Sequence, residues 1–332
     1  PVTIEDESTG GFAGGAYSPR VAMNKYGQAA VVWGYTDGAS NYRVWSNRYD
    51  NSAWQAAILT SSASGNANSP QVSFDASGDA VFSIWAQYQF GSTQSNYRIL
   101  QRQYLYFRCT DPLLVYPDCS VADPTLLGWR AISMIDSHDI GDAGEPQIAA
   151  WGNRNAVAVW TQNVPGGVAG NEIWANTATN GVWGATPVRV NTGSVASAAA
   201  PVVAVDSTGN AVAAWMEFVT GRQTFFASRY NGTSWSSPVQ IDDSSAGPAV
   251  YQSSHPSKIR AVMDSAGNAL FVWLQENLGR TNTNVHARRC PSGPLSGCGA
   301  PGLIENSDGD PNFPDLALGP NRRKLERVPR CD

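Results

Sequence analysis

Residues 201–215 read PVVAVDSTGNAVAAW: a proline, a short apolar run closing on Asp206, a turn closing on Gly209, a second apolar run, then Trp215. Two apolar runs of strand length around a Gly-containing turn are a β-hairpin in outline. The same pattern stands at 19–33 (PRVAMNKYGQAAVVW), 70–85 (PQVSFDASGDAVFSIW), 146–160 (PQIAAWGNRNAVAVW) and 256–273 (PSKIRAVMDSAGNALFVW). A sixth copy begins at Pro314 (PDLALGPN) and fades. Gly27, Gly78, Gly209 and Gly267 are placed to supply the positive φ a tight turn needs. The second run is nearly continuous in apolar residues, the pattern of a strand buried on both faces.

Working outward, two more segments recur after each hairpin. One reads YRVWSNRY (42–49), YRILQRQY (97–104), EIWANTA (172–178), TFFASRY (224–230) and NVHARR (284–289). The other reads WQAAIL (54–59), WRAISMI (129–135), TPVRV (186–190), SPVQI (237–241) and APGLI (300–304). Each repeat therefore holds four strands, A to D, and the repeat Trp residues are spaced by 52, 75, 55 and 58, the long interval holding the Cys109–Cys119 insertion; the period is close to that of a β-propeller blade. PVTIED at 1–6 matches SPVQIDD at 237–243, so the chain opens on a D strand. Six A and six D segments predict an all-β propeller of six four-stranded blades, closed by the N-terminal strand. Residues 1–321 then form one domain. The stretch 322–332 (RRKLERVPRCD) is an atypical basic tail: an irregular last blade, the stump of a longer chain or a foreign sequence.

Composition narrows the function. Net charge is −5, and phosphate contact needs a basic surface, so nucleic acid is excluded as a partner. No apolar run is long enough to span a membrane. The chain starts on Pro1 without a signal peptide, which fits a processed or trimmed form. Cys109–Cys119 and Cys290–Cys298 are close pairs at equivalent places in two repeats, and neither has the CxxC spacing of a zinc site. Each is read as a disulfide closing its loop, with Cys331 left over, which implies a secreted or periplasmic protein.

Candidate ligand groups recur with the blades. Two residues after Trp85, Trp160, Trp215 and Trp273 stand Gln87, Gln162, Glu217 and Gln275, on the same strand face. The first repeat has Tyr35 there. Strand C ends with Arg48, Arg102, Arg229 and Arg288, with Asn176 in the third repeat. The bland reading makes the Trp set blade core and the polar set a hydrogen-bond ladder. The sharp reading makes them repeated sugar pockets. Asp308, Asp310 and Asn312 offer oxygen ligands at alternate positions, as at the start of a calcium loop, without the later Gly and Glu. Calcium is thus the one cofactor considered. Catalytic motifs are lacking. Glu217, Glu145, Asp139 and Glu172 are the carboxylates a glycosidase could draw on.

The hairpin with its Asp, Gly and later Trp resembles the Asp-box repeats of bacterial, sialidase-like propellers. Here Trp215 follows Asp206 at a longer spacing than in that box, and no Arg-Ile-Pro motif exists. In such repeats the Asp holds its own turn. The Trp, Gln/Glu and Arg set is similar in composition to the inter-blade sugar pockets of six-bladed fucose-binding lectins. Polar and aromatic residues recur blade after blade, whereas an enzyme centre is unique and asymmetric, so the expectation is an extracellular, non-catalytic module that binds a carbohydrate or another cell-surface ligand. A sialidase-like hydrolase or lyase, with its site at the channel mouth, and a protein-interaction scaffold are the alternatives.

Overall fold

The computed structural model describes residues 4, 15–36, 41–50, 52–90, 95–106, 128–136, 141–164, 170–191, 197–250, 259–279, 282–305 and 314–317. The fold is all-β, and its sheets are propeller blades. The first sheet holds β1 (Ala16–Met23), β2 (Ala29–Thr36), β3 (Tyr42–Asp50), β4 (Ala53–Trp54) and β5 (Ile58–Leu59). The second holds β6 (Ala67–Phe74), β7 (Ala80–Phe90), β8 (Ser95–Leu105), β9 (Gly128–Trp129) and β10 (Ser133–Met134). The third holds β11 (Ala143–Trp151), β12 (Asn155–Asn163), β13 (Asn171–Thr179), β14 (Val182–Trp183) and β15 (Val188–Arg189). The fourth holds β16 (Ala198–Val205), β17 (Ala211–Val219), β18 (Arg222–Tyr230) and β19 (Val239–Gln240). The fifth holds β20 (Ile259–Met263), β21 (Ala269–Glu276), β22 (Thr283–Cys290) and β23 (Gly302–Leu303). Each is an antiparallel meander in chain order, and in the first three the outermost strand is split in two short pieces. The chain divides into two compact units, Pro1–Pro201 and Val202–Asp332, with the boundary inside β16. Among the described residues no helix is long and apolar enough to cross a membrane.

The second strand of each blade is the buried one, as its unbroken apolar run predicts. Trp85, Trp160, Trp215 and Trp273 are at most 1% exposed. Ile84, Ile99, Ile135 and Trp160 share one cluster, so the D strand of the second blade packs on the core of the third. Truncating one of these indoles to alanine would cost about 3–5 kcal/mol. Ile4 packs on Val31 and Trp33 of the first blade in the same way. Its carbonyl accepts from Asn47 Nδ2 at 2.8 Å, as the Ile135 carbonyl accepts from Asn176 Nδ2 at 2.9 Å. Ile4 therefore holds the place of a D-strand residue, as the match of 1–6 to 237–243 predicts. At the other end, Asp315 pairs with Arg260 of β20 at 3.4 Å.

The A–B turns are tied by their acids. Asp206 Oδ1 accepts the backbone N–H of Thr208 at 2.8 Å and of Asn210 at 3.0 Å, and Oδ2 accepts Asn210 Nδ2 at 2.8 Å. Asp264 repeats the pattern with Ala266 and Asn268. Asp75 adds a link between blades by accepting the Arg154 N–H at 2.7 Å. Gly27, Gly78, Gly209 and Gly267 have φ of 80, 78, 96 and 81°, the left-handed conformation expected of them. A second recurrent feature was not foreseen. Ser18, Ser69, Glu145 and Ala200, each directly before the repeat proline, have φ of 50, 52, 49 and 52°. In the first three sheets the A–B ladder slips a register there, so the proline's missing N–H falls in a β-bulge.

The C–D hairpins are stapled by pairs at one register. Tyr49 meets Trp54 at 5.5 Å, Tyr104 meets Trp129 at 5.3 Å and Tyr230 meets Trp235 at 5.2 Å between ring centroids. In the fifth blade Cys290 stands at the tyrosine position, opposite Ala269, and its disulfide to Cys298 replaces the aromatic pair. Cys109 and Cys119 lie outside the described residues, as do residues 322–332.

Candidate functional site

The recurring Trp and Gln side chains build a lock. Trp85 Nε1 donates to Gln87 Oε1 at 2.8 Å, Trp160 to Gln162 at 3.2 Å, Trp215 to Glu217 at 2.7 Å and Trp273 to Gln275 at 2.9 Å. The carboxamide then pins the loop that enters its own A strand. Gln87 Nε2 donates to the carbonyls of Ser62 at 3.1 Å and Ser64 at 2.6 Å. Gln275 Nε2 donates to Asp243 at 2.7 Å and Gly247 at 2.8 Å, and Gln162 Nε2 to Gly141 at 2.7 Å. All eight side chains are buried. None of these four indoles presents a face to a ligand, so the sugar-platform reading of Trp85, Trp160, Trp215 and Trp273 gives way to the structural one. The physical reason is burial: a residue that fills the blade core cannot also stack on a sugar.

The arginines are fastened likewise. Arg102 donates to the carbonyls of Arg130 at 3.0 Å and Leu59 at 3.2 Å. Arg288 donates to Gly299 at 2.7 Å and Gln240 at 2.8 Å. Each thus joins the D strand of its own blade to that of the blade before. Register places Asn47 and Asn176 at this same position, and Arg48 and Arg229 one residue further on. Arg229 reaches forward, to Gly267 at 2.8 Å and Pro291 at 3.1 Å. Arg48 stacks on Tyr104, 3.5 Å from its centroid. Burial lowers the pKa of Arg102, Arg229 and Arg288 without removing their charge.

The candidate carboxylates are dispersed. Glu217 is buried beneath Trp215. Glu172 pairs with Arg189 at 2.9 Å, and Glu145 accepts the Ala200 N–H at 2.8 Å. Asp139 lies outside the described residues, and so do Asp308, Asp310 and Asn312. Among the described residues no three His, Cys, Asp or Glu converge on a metal-sized point.

What the repeats do not share is a cluster of tyrosines where the first two blades meet. It sits at the end of the sheets that carries the B–C and D–A connections. Tyr17 of β1 and Tyr42 of β3 meet edge to face at 6.1 Å, and Tyr88 of β7 and Tyr97 of β8 at 5.4 Å. The pairs are neighbours. Burial, then Tyr42 and Tyr97, push the Tyr17 phenol up to about 12. Burial, then Asp142, Tyr88 and Tyr42, raise that of Tyr97. Tyr42 is 43% exposed and the other three are half-buried. Asp142 is exposed, and its Oδ1 accepts the Tyr97 N–H at 2.8 Å.

Local sequence explains the cluster. Gly34 stands where the other blades have Ala86, Thr161, Met216 and Leu274, and a Cβ there would fall inside the Tyr17 ring. The missing side chain lets the ring lie on β2. Asn66 joins the two halves, accepting the Tyr42 N–H on Oδ1 at 3.1 Å and the Tyr88 N–H on its carbonyl at 2.8 Å. A Cβ on Gly65 would meet the Tyr88 carbonyl, so only glycine lets this loop approach so closely. The signal was present in the sequence. Ser40-Asn-Tyr-Arg43 recurs as Ser95-Asn-Tyr-Arg98, in these two blades only. By sequence alone the motif is indistinguishable from the opening of a C strand.

No protein-family model matches the chain, and no curated protein matches its sequence. Among solved structures, a Dyadobacter fermentans protein of unknown function aligns with a TM-score of 0.51 at 11% identity, covering 90% of this chain and 85% of that one. A Penicillium chrysogenum α-L-arabinanase complexed with arabinobiose aligns with a TM-score of 0.47 at 11% identity, covering 87% of this chain and 93% of that one. A Fusarium graminearum α-L-arabinofuranosidase gives 0.46 at 9%, covering 78% and 77%. At these identities the likeness is one of fold alone.

Proposed function

We propose that the protein is a secreted or periplasmic glycan-binding module whose ligand lies on the Tyr17–Tyr42–Tyr88–Tyr97 surface. The observation that carries this is the half-exposed tyrosine cluster itself. Its rings offer apolar faces for the C–H side of a sugar, and its phenols and Asp142 offer partners for hydroxyls. Two-torsion aromatic side chains also lose little entropy on binding. The Cys290–Cys298 disulfide supports the compartment.

A glycan-cleaving role has one observation in its favour. Burial pushes the Asp136 carboxyl up to about 7, although Arg98 stands 3.1 Å away, and a carboxyl in that range can serve as an acid at neutral pH. Asp136 is fully buried, however, and Arg98 also donates to its carbonyl at 2.7 Å, so the pair reads as a fastening of the loop that leads to Asp142.

The test is a broad glycan array with and without chelator, run on the wild type and on Gly34→Ala, with released reducing ends measured on every hit. Binding that Gly34→Ala weakens about tenfold, without new reducing ends, is the expected result. Unchanged binding by Gly34→Ala refutes the site. New reducing ends refute the non-catalytic reading. Loss on chelation brings in a calcium site at Asp308, Asp310 and Asn312.

A further inference from the structure

We infer that the tyrosine surface takes a sugar bearing a carboxylate, and that Arg43 is the residue that holds it. This rests on the glycan-binding reading above and adds the chemical class of ligand. Arg43 follows Tyr42 in β3 as Arg98 follows Tyr97 in β8. Register makes the two arginines equivalent, with Arg43 opposite Tyr35 and Arg98 opposite Gln87. The third, fourth and fifth blades have Glu172, Thr224 and Asn284 at this place. Among the described blades, only the two that build the cluster carry a cation there.

The two arginines differ in what meets them. Arg98 is buried, with its Nε on Asp136 Oδ2 at 3.1 Å and Nη2 on the Asp136 carbonyl at 2.7 Å. Asp136 follows Ile135, whose N–H donates to the Ile99 carbonyl at 2.9 Å. In the first blade the Thr60 N–H donates to the Val44 carbonyl at 2.8 Å in the same way, so Ser61 stands where the second blade has Asp136. Ser61 is buried and brings no charge; its Oγ accepts the Val44 N–H at 3.1 Å. Arg43 is half-buried, and Nη1 alone is bonded, to the carbonyls of Tyr42 at 3.0 Å and Gly65 at 2.9 Å. Among the described residues its Nε and Nη2 have no partner.

Nε and Nη2 form one edge of a guanidinium, a fork that takes a carboxylate in two parallel hydrogen bonds. Two carbonyls already fix the head of Arg43, so little freedom is lost when that edge is filled. The guanidinium stands at the cluster, since its partner Gly65 adjoins Asn66, which accepts the N–H groups of Tyr42 and Tyr88. The acid at this surface, Asp142, is exposed and bonded to the Tyr97 N–H in the second blade, whereas Arg43 is joined to Tyr42 in the first. A ligand lying on the rings thus offers its carboxylate to Arg43 and a hydroxyl to Asp142.

The experiment is calorimetric titration of the intact protein with polygalacturonate, alginate and hyaluronan, each beside its methyl ester, at low and high salt. Wild type, Arg43→Gln and Ser61→Asp are compared. Ser61→Asp keeps an acceptor for the Val44 N–H and supplies Arg43 with the internal carboxylate that Arg98 has. The wild type should bind at least one acid form roughly tenfold tighter than its ester, and salt should narrow the gap. Both variants should lose that gap while binding the ester as the wild type does, a change of preference that a loosened fold would not produce. No acid form preferred over its ester by the wild type, or a preference that survives in Arg43→Gln, overturns the inference and leaves the tyrosine site standing. So do hits on the glycan array that are all neutral. If none of the polymers binds in either form and the array is also silent, the glycan-binding reading itself fails.

Discussion

Glu217 stands where three other blades carry Gln87, Gln162 and Gln275. Its Oε1 keeps the bond from Trp215, but its side chain has no amide N–H for the second half of the lock, the donation to loop carbonyls seen from Gln87 and Gln275. Two opposite outcomes are expected. Glu217→Gln restores a donor and raises the melting temperature, by about 1 kcal/mol of stability. Gln87→Glu sets carboxylate oxygen against the Ser62 and Ser64 carbonyls and costs about 2–4 kcal/mol. Denaturant unfolding of the two variants checks both signs. That Trp and Gln recur two residues apart is plain in the sequence. That they face each other in the core, rather than a ligand, depends on burial. The apolar run marks the strand as buried, but the neighbouring blades set how completely each side chain on it is covered.

At the scale of the element, the blade hairpins were legible because local chemistry repeats in them. Asp206 and Asp264 hold their turns as an acid before a Gly-Asn turn should. Burial opposes ionisation of Asp206, and the hydrogen bonds from Asn210 and Thr208 outweigh it and hold its pKa low. The left-handed residue before Pro19, Pro70, Pro146 and Pro201 was not legible. Its positive φ falls on Ser, Glu and Ala, which carry no glycine signal, and it arises from how a proline is fitted into a paired strand. The C–D staple was half visible. The close spacing of Cys290 and Cys298 signals a disulfide, but its equivalence to the Tyr–Trp pairs appears only from register. Reducing the Cys290–Cys298 bond should cost about 2–3 kcal/mol through the freedom returned to the unfolded loop. A melting temperature that reductant leaves untouched would show that β22 and β23 are held by their ladder alone.

Across the whole molecule, stability should carry the signature of Asp136. Its folded pKa lies near 7 against an ordinary value of 3.8, so between those values the folded state binds a proton that the unfolded state has released. Raised folded pKa in an acid means stability falls as pH rises through that window. Lowered folded pKa at Asp206, and at His286 through burial, acts in the opposite direction. The difference between wild type and Asp136→Asn isolates the effect. The variant should gain on the wild type from pH 4 to pH 7 by up to about 4 kcal/mol. A pH-independent difference would mean that Arg98 keeps the carboxylate ionised throughout.

The repeated residues hold the blades, and the proposed ligand site is the unrepeated tyrosine cluster. Calorimetric titration of the tightest glycan from the array tests this most directly, on the wild type, Tyr42→Ala/Tyr97→Ala and Arg229→Ala. The account predicts that the tyrosine variant loses binding at least tenfold while keeping its fold, and that Arg229→Ala binds as the wild type does. Full binding by the tyrosine variant together with loss in Arg229→Ala would return the site to the repeated inter-blade positions.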